Sequence, residues 1–167
     1  MVMEEAVLAR IGSYTLRKAS EPDIEQVVEI NERTLPEHYS DYFYFEVLKD
    51  FPEGFIVAEL GGKIVGYIMC RIEYGFSHIK RFGLARKGHI VSIAVLDEHR
   101  RKGIGTILLK LAIEEMTKKS CSESYLEVRV SNKEAISLYE KMNFKIVGKL
   151  EGYYKDGEPA YVMARSI

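Results

Sequence analysis

The chain has 167 residues, 47% of them apolar and 29% charged, with 24 Lys plus Arg against 25 Asp plus Glu and a net charge of -1. That length suits one domain with its own core, and the near-balanced charge argues against non-specific nucleic-acid binding, which needs a broad basic face. The two cysteines, Cys70 and Cys121, form no CxxC pair, so neither a disulfide framework nor a structural zinc site is expected and a reducing cytoplasm fits.

The opening MVMEEAVLAR carries acids at positions 4 and 5 and no long apolar run, so it does not read as a signal peptide; residues 1–12 are expected to be loose. No stretch approaches the roughly 18 apolar residues of a membrane span. SYTLRKA reads as a first strand. Ser20 then caps a helix, with Asp23 three residues on and Pro22 in the first turn. Ile24, Val27, Val28 and Asn31 share one face of that helix. LPEHYSD breaks the pattern, and YFYFEVLKDF reads as a second helix. GFIVAEL and KIVGYIMCRIEY flank Gly61-Gly62 as a hairpin. Gly75 to Gly88, with little periodicity and many cations, reads as an exposed loop.

The second half is strongly periodic. HIVSIAVL is a strand and GTILLKLAIEEMTKK a helix. SYLEVRV is a strand, and SNKEAISLYEKMN is a helix with Ser131 and Glu134 at capping-box spacing. FKIVGKLEGYY and PAYVMARSI flank KDGE as a terminal hairpin. The expected architecture is a single α/β domain spanning 1–167, with a mixed central sheet of about seven strands flanked by four helices. His38, His78 and His99 lack metal-ligand spacing with Cys or carboxylates, so no metal is expected.

One short stretch carries chemistry. After the strand HIVSIAVL, RRKGIG places Arg100, Arg101, Lys102, Gly103 and Gly105 at the start of an apolar helix. Unpaired N–H groups and the helix dipole make such a start an anion site, and glycines let a ligand approach the main chain. It is not a Walker A loop, which needs GxxxxGK[ST]. It is not a dinucleotide fingerprint either, because Leu108 stands where the third glycine belongs.

Arg100-x-x-Gly103-x-Gly105 after VSIAVL, followed by YLEVRVSNKEAISLYEKMNFK, resembles the GCN5-related N-acetyltransferase (GNAT) family over roughly Tyr14 to Ala164. Within it, TLPEHY, GHIVSIAV, RRKGIG, LEVRVSN and GYYKDGEPAY are similar to the N-terminal protein acetyltransferases, particularly their archaeal forms. The ribosomal-protein alanine acetyltransferases share the EVR-SN-A-LY-F segment but match LPEHY and GYYKDGE less well.

The resemblance implies acetyl-CoA as cosubstrate and direct acetyl transfer to the α-amine of protein N-termini, Ser or Ala first and Met-starting ends next. The pyrophosphate falls on Arg100, Arg101, Lys102, Gly103, Ile104, Gly105 and Thr106, and the pantetheine arm on Ile93, Ala94 and Val95, with Asn132 and Lys141 on the other side. Tyr139 takes the role of proton donor to sulfur. Glu37 and His89 are the favoured pair for deprotonating the amine, with Glu127 the rival base. A terminal amine has a reference pKa near 8, so a modest base suffices. Leu35, Pro36, Glu37, Tyr39, Glu127, Tyr153 and Tyr154 fall in the peptide clamp.

Plainer readings stand beside these. Tyr139 sits where a core-facing helix needs bulk, Glu127 is placed to pair with Arg129 or Arg71, and Lys80, Arg81, Arg86 and Lys87 fit a solvated loop. The alternatives at this point are a ribosomal-protein alanine, lysine or small-amine acetyltransferase of the same fold, or a non-catalytic acetyl-CoA-binding module. A monomer or weak dimer is expected, with no nucleic acid and no membrane; ribosome or scaffold association stays open.

Overall fold

The structure is a computed structural model that describes residues 7–167. Of the N-terminus expected to be loose, residues 1–6 lie outside the described residues, whereas Val7–Ile11 form a strand, β1. That strand pairs antiparallel with β2 (Tyr14–Lys18) across a turn in which Gly12 has φ +55°, a left-handed conformation suited to glycine. The remaining strands are β3 (Ile56–Leu60), β4 (Lys63–Phe76), β5 (Leu84–Val95), β6 (Glu123–Arg129), β7 (Lys145–Leu150) and β8 (Ala160–Ser166). They form an eight-stranded sheet in the order β1-β2-β3-β4-β5-β6-β8-β7, one strand more than the sequence suggested, the addition being β1. The helices are α1 (Ile24–Thr34), α2 (Asp41–Asp50), α3 (Ile104–Lys118) and α4 (Lys133–Lys141).

The chain divides into two compact units. The first runs to Arg71 and adds Val91–Glu115. Its β2, β3 and β4 pair antiparallel in sequence. Leu16, Val27, Tyr44, Phe55, Val57 and Tyr67 are among its buried side chains; sequestering each large apolar side chain contributes about 1.5–3 kcal/mol. The expected Ser20–Asp23 motif is present. A 3-10 turn over Glu21–Asp23 leads into α1, and the Asp23 carboxylate accepts from the Ser20 N–H at 2.8 Å and hydroxyl at 3.1 Å. Arg17 from β2 donates two bonds to the same carboxylate at 2.7 and 2.9 Å, which ties the start of α1 to the sheet.

The second unit comprises Ile72–Ile90 and Met116–Ile167. Here β5 and β6 run parallel, with Lys87, Gly88 and His89 opposite Glu123, Ser124 and Tyr125. β6 and β8, and β8 and β7, are antiparallel. A Cβ on Gly88 would lie 2.2 Å from the Met116 sulfur, so this glycine lets the end of α3 come against β5 just beside His89.

Three local expectations are corrected. The loop expected over 75–88 shrinks to 77–83, because β4 runs on to Phe76 and β5 begins at Leu84. Helix α4 is capped by Asn132, whose side-chain oxygen accepts from the Ala135 N–H at 3.2 Å, rather than by Ser131. Ser131 donates its N–H to Glu158 instead. Finally, β7 stops at Leu150, so Tyr153 and Tyr154 stand in a loop before β8 rather than on a strand. Among the described residues no helix is long and apolar enough to cross a membrane.

Candidate active site

In the second unit β4 and β5 each contribute one residue, and β6 two, to a polar chain. His89 on β5 places Nε2 2.7 Å from a Glu127 carboxylate oxygen and Nδ1 3.0 Å from a Glu73 carboxylate oxygen. The alternation of strand side chains puts Glu127 two residues from Tyr125 on the same face of β6. The Tyr125 ring stacks on His89 with centroids 4.3 Å apart and planes within 3° of parallel, and its hydroxyl donates to the other oxygen of Glu73. The imidazole is therefore fixed in plane by stacking and in rotation by two carboxylates. An ionised carboxylate only accepts, so this geometry holds two protons between three groups.

The other face of Tyr125 is covered as well. His78 stacks on it at 4.1 Å, and the Lys87 ammonium lies 4.9 Å from the ring centroid. Glu123, 2% exposed, accepts from the Ser77 hydroxyl and the His78 N–H, both at 2.6 Å. Burial holds the His78 imidazole below its ordinary pKa, and the neighbouring Lys87 adds to the effect against the pull of Glu123.

Tyr139 on α4 is buried and meets Phe144 edge-on at 6.2 Å. Burial raises its phenol pKa, so the hydroxyl keeps its proton across the neutral range. Asn132 and Lys141 are exposed at the two ends of the same helix. Arg129, at the end of β6, donates to Asp156 and Glu158, both at 2.8 Å, and its guanidinium lies 4.1 Å over the Tyr154 ring. Tyr153 meets Tyr154 edge-on at 4.9 Å. One cation thus braces the loop that carries both tyrosines.

The first unit supplies two more features. Ile93 and Val95 are half-buried on one face of β5, while Ser92 and Ala94 are buried on the other. A Cβ on Gly66 would stand only 3.2 Å from the Ala94 carbonyl oxygen. Beyond β5 the chain turns through Arg101 (φ +62°) and Gly103 (φ +82°) into α3, whose ladder starts with Ile107 N–H to the Gly103 carbonyl at 3.1 Å. The N–H groups of Ile104, Gly105 and Thr106 thus have no carbonyl within the helix to pair with. A Cβ at Gly103 would meet nothing within 4 Å, so the approach is open. Arg100 binds the Val95 carbonyl at 3.0 Å and Asp97 at 2.8 Å, bracing the turn. Arg101 and Lys102 are exposed.

The second feature is the loop from Leu35 to Ser40. Tyr39 donates to the Val91 carbonyl at 3.3 Å and stacks on Phe43 at 4.9 Å, which anchors the loop to β5. His38 contacts the Leu35 carbonyl at 2.9 Å. Leu35 and Glu37 are half-buried and Pro36 is exposed.

Among the expected site residues the structure therefore joins His89 to Glu127, and Tyr153 to Tyr154. Both ring nitrogens of His89 are engaged by Glu127 and Glu73, and Glu127 pairs with His89 rather than with an arginine. Sequence reasoning passed over Glu73 and Tyr125. The signal for Glu73 was an acid late in an apolar strand, at the parity that shares a face with Gly75.

The acetyltransferase (GNAT) family model matches residues 24–144. The chain belongs to that family. It is 54% identical to an N-alpha-acetyltransferase of Saccharolobus solfataricus over 167 residues, covering 99% of this chain and 100% of the relative. Its fold matches the crystal structure of Ard1 from Thermoplasma volcanium with a TM-score of 0.81 at 31% identity, covering 93% of this chain and 98% of the other. It also matches Arabidopsis thaliana Naa50 in complex with the bisubstrate analogue CoA-Ac-MVNAL, with a TM-score of 0.79 at 29% identity over 93% and 99% of the two chains. The GNAT chain is an acetyltransferase with an eight-stranded mixed sheet and four helices among its described residues.

Proposed function

We propose that this acetyltransferase moves an acetyl group from acetyl-CoA to the α-amine of protein N-termini. The observation that carries the reading is the 2.7 Å His89–Glu127 pair, found in a chain 54% identical along its length to an N-alpha-acetyltransferase. A terminal amine titrates near 8, so a carboxylate–imidazole pair is base enough to take its proton at neutral pH.

The start of α3 fits the diphosphate of acetyl-CoA: three N–H groups at the positive end of a 15-residue helix, a glycine with open space beside it, and exposed cations at Arg101 and Lys102. When bound, acetyl-CoA supplies the acetyl group as an activated thioester. Ile93 and Val95 offer a half-buried strand face for its arm, and Asn132 and Lys141 stand at the ends of α4. Glu127 and His89 accept the amine proton. Tyr139 holds a proton for the departing thiolate. In the first unit the loop carrying Leu35, Pro36, Glu37 and Tyr39, and in the second the loop carrying Tyr153 and Tyr154, each offer a candidate contact for a peptide end. Tyrosines suit this because each offers an apolar face and a hydroxyl. Ser- and Ala-starting chains are the preferred substrates, with Met-starting chains next, and the enzyme works in the cytoplasm.

The test is thiol release from acetyl-CoA with peptides starting Ser, Ala, Met-Leu and Met-Glu, beside an N-blocked peptide with an internal Lys. Release with free N-termini alone supports the reading. Release with the blocked Lys peptide assigns the chain to side-chain acetylation instead.

A further inference from the structure

The chain of contacts at His89 does not end at Glu127. Glu73 on β4 takes the opposite ring nitrogen at 3.0 Å, and Tyr125 donates its hydroxyl to the second oxygen of Glu73. Three titratable side chains come from three strands, and the hydrogen bonds run unbroken from Glu127 through the imidazole to Glu73. The outer end is also the wetter one. The Glu73 side chain is 29% exposed against 16% for His89 and 18% for Glu127.

We propose that Glu127, His89 and Glu73 form a proton wire, with Glu73 its outlet to solvent and the positioning residue for His89. The proposal rests on the acetyl-transfer reading above and adds the route by which that reaction sheds its proton. Acetylation of an ammonium by a thioester gives an amide, a thiol and one proton. The thiolate takes one of the two amine protons, and the other must reach water.

The balance closes on the wire. At rest it holds two protons, one between Glu127 and Nε2 and one between Nδ1 and Glu73. A proton arriving on the second oxygen of Glu127 settles the bridging proton on Nε2. The Nδ1 proton then passes to Glu73, and water removes it. One proton has entered and one has left, and the two that remain sit on Glu127 and on Nε2; exchange of the imidazole to its Nδ1–H tautomer through water, with the Glu127 proton turning toward Nε2, restores the resting arrangement.

The surroundings hold the wire in line. Tyr125 stacks on the imidazole within 3° of parallel, so the ring cannot turn out of line with its two carboxylates. On the other face of Tyr125, His78 and Lys87 face the ring from the loop and from β5. The Lys87 ammonium is also 2.9 Å from the Phe76 carbonyl, and Glu123 binds the loop through Ser77 and the His78 N–H. These groups brace Tyr125, whose hydroxyl in turn donates to Glu73.

The experiment compares wild type, Glu73→Gln, Glu73→Ala, Tyr125→Phe and Glu127→Gln by thiol release with a Ser-starting peptide from pH 6 to 9, as separate kcat and KM profiles, with Glu73→Ala also assayed with and without a small carboxylate buffer. Acetyl-CoA affinity and thermal midpoint are measured on each. The expected result is a fall in kcat of about 10- to 100-fold for Glu73→Gln, with peptide and acetyl-CoA affinity held within about threefold. Its kcat profile loses the wild-type acid limb, and a small carboxylate buffer restores part of the rate in Glu73→Ala. Tyr125→Phe, which deletes one hydroxyl, lowers kcat by a few-fold and moves the same limb. It carries the test should Glu73→Gln not fold. A Glu73→Gln enzyme with the wild-type kcat and profile overturns the wire while leaving the acetyl-transfer reading intact. Lower kcat with an unmoved profile and no buffer rescue also overturns it, since a purely structural role gives that pattern. Wild type that is silent on every free N-terminus overturns the reading itself and the wire with it.

Discussion

His89 and Glu127 meet at 2.7 Å although 38 residues separate them, because β5 and β6 lie side by side and parallel with His89 opposite Tyr125. Parallel pairing places residues at like positions next to each other, and Glu127 follows two residues on, on the Tyr125 face. Replacing Glu127 by Gln keeps the shape and removes the carboxylate's capacity to hold a proton. The expected loss in kcat is about 100-fold or more, the usual contribution of a placed base, with the peptide KM little changed. A variant retaining more than half the wild-type kcat would remove Glu127 from the deprotonation step.

Tyr139 is the buried hydroxyl on the proposed path to sulfur, and burial raises its pKa above the ordinary value near 10. It is therefore neutral and proton-bearing throughout an assay from pH 6 to 9. Tyr139→Phe is expected to lower kcat at least about 10-fold while acetyl-CoA still binds, read by isothermal titration. Wild-type kcat should show no falling alkaline limb from this group below about pH 10. Unchanged turnover in the phenylalanine variant would return Tyr139 to a packing role against Phe144.

Much of this was legible from the residues. The two strand–helix units, the glycine turn into α3 and the Ser20–Asp23 motif are local signals, set by periodicity and by the short reach of hydroxyl and carboxylate side chains. What escaped was what depends on partners distant in the chain. Lys87 interrupts the apolar rhythm of β5, yet it is buried, its ammonium held by the Phe76 carbonyl; a charged residue pointing inward made a strand look like a loop. Glu73 escaped because its partners are His89 and Tyr125, 16 and 52 residues away. The shift from Ser131 to Asn132 as the cap is a one-residue slip that spacing alone does not resolve.

The Arg17–Asp23 pair governs stability. Burial alone would raise the Asp23 carboxyl, but hydrogen bonds from Arg17 and Ser20 outweigh it, and its pKa lies below the ordinary value. Both side chains are about one-tenth exposed, at 11% and 9%. Asp23→Asn leaves the guanidinium with Glu59, at 3.3 Å, as a remaining carboxylate partner and is expected to cost about 1.5–3 kcal/mol at pH 7, the usual range for hydrogen bonds to a charged group. A depressed carboxyl pKa gives stability that is complete above the unfolded value near 4 and is lost as pH falls through the lower folded value. Denaturant melts at pH 7 and pH 3 should therefore show the gap between wild type and Asp23→Asn narrowing in acid. A gap that stays constant would mean that Asp23 acts through packing alone.

Arg129 tests the proposed peptide loop without touching the proposed proton path. Its guanidinium binds Asp156 and Glu158 at 2.8 Å and lies 4.1 Å over Tyr154, so it fixes the segment that carries Tyr153 and Tyr154. Asp156 is well exposed, so the ion pair itself contributes little, and the stacked, partly buried contact to the ring matters more. Removing it with Arg129→Ala frees the loop, and the cost falls on ordering it around a peptide. The expected outcome is a peptide KM raised about fivefold, the equivalent of about 1 kcal/mol, with kcat within about twofold of wild type and acetyl-CoA affinity unchanged. A fall in kcat with a constant KM would place Arg129 in the chemical step and separate the two tyrosines from peptide recognition.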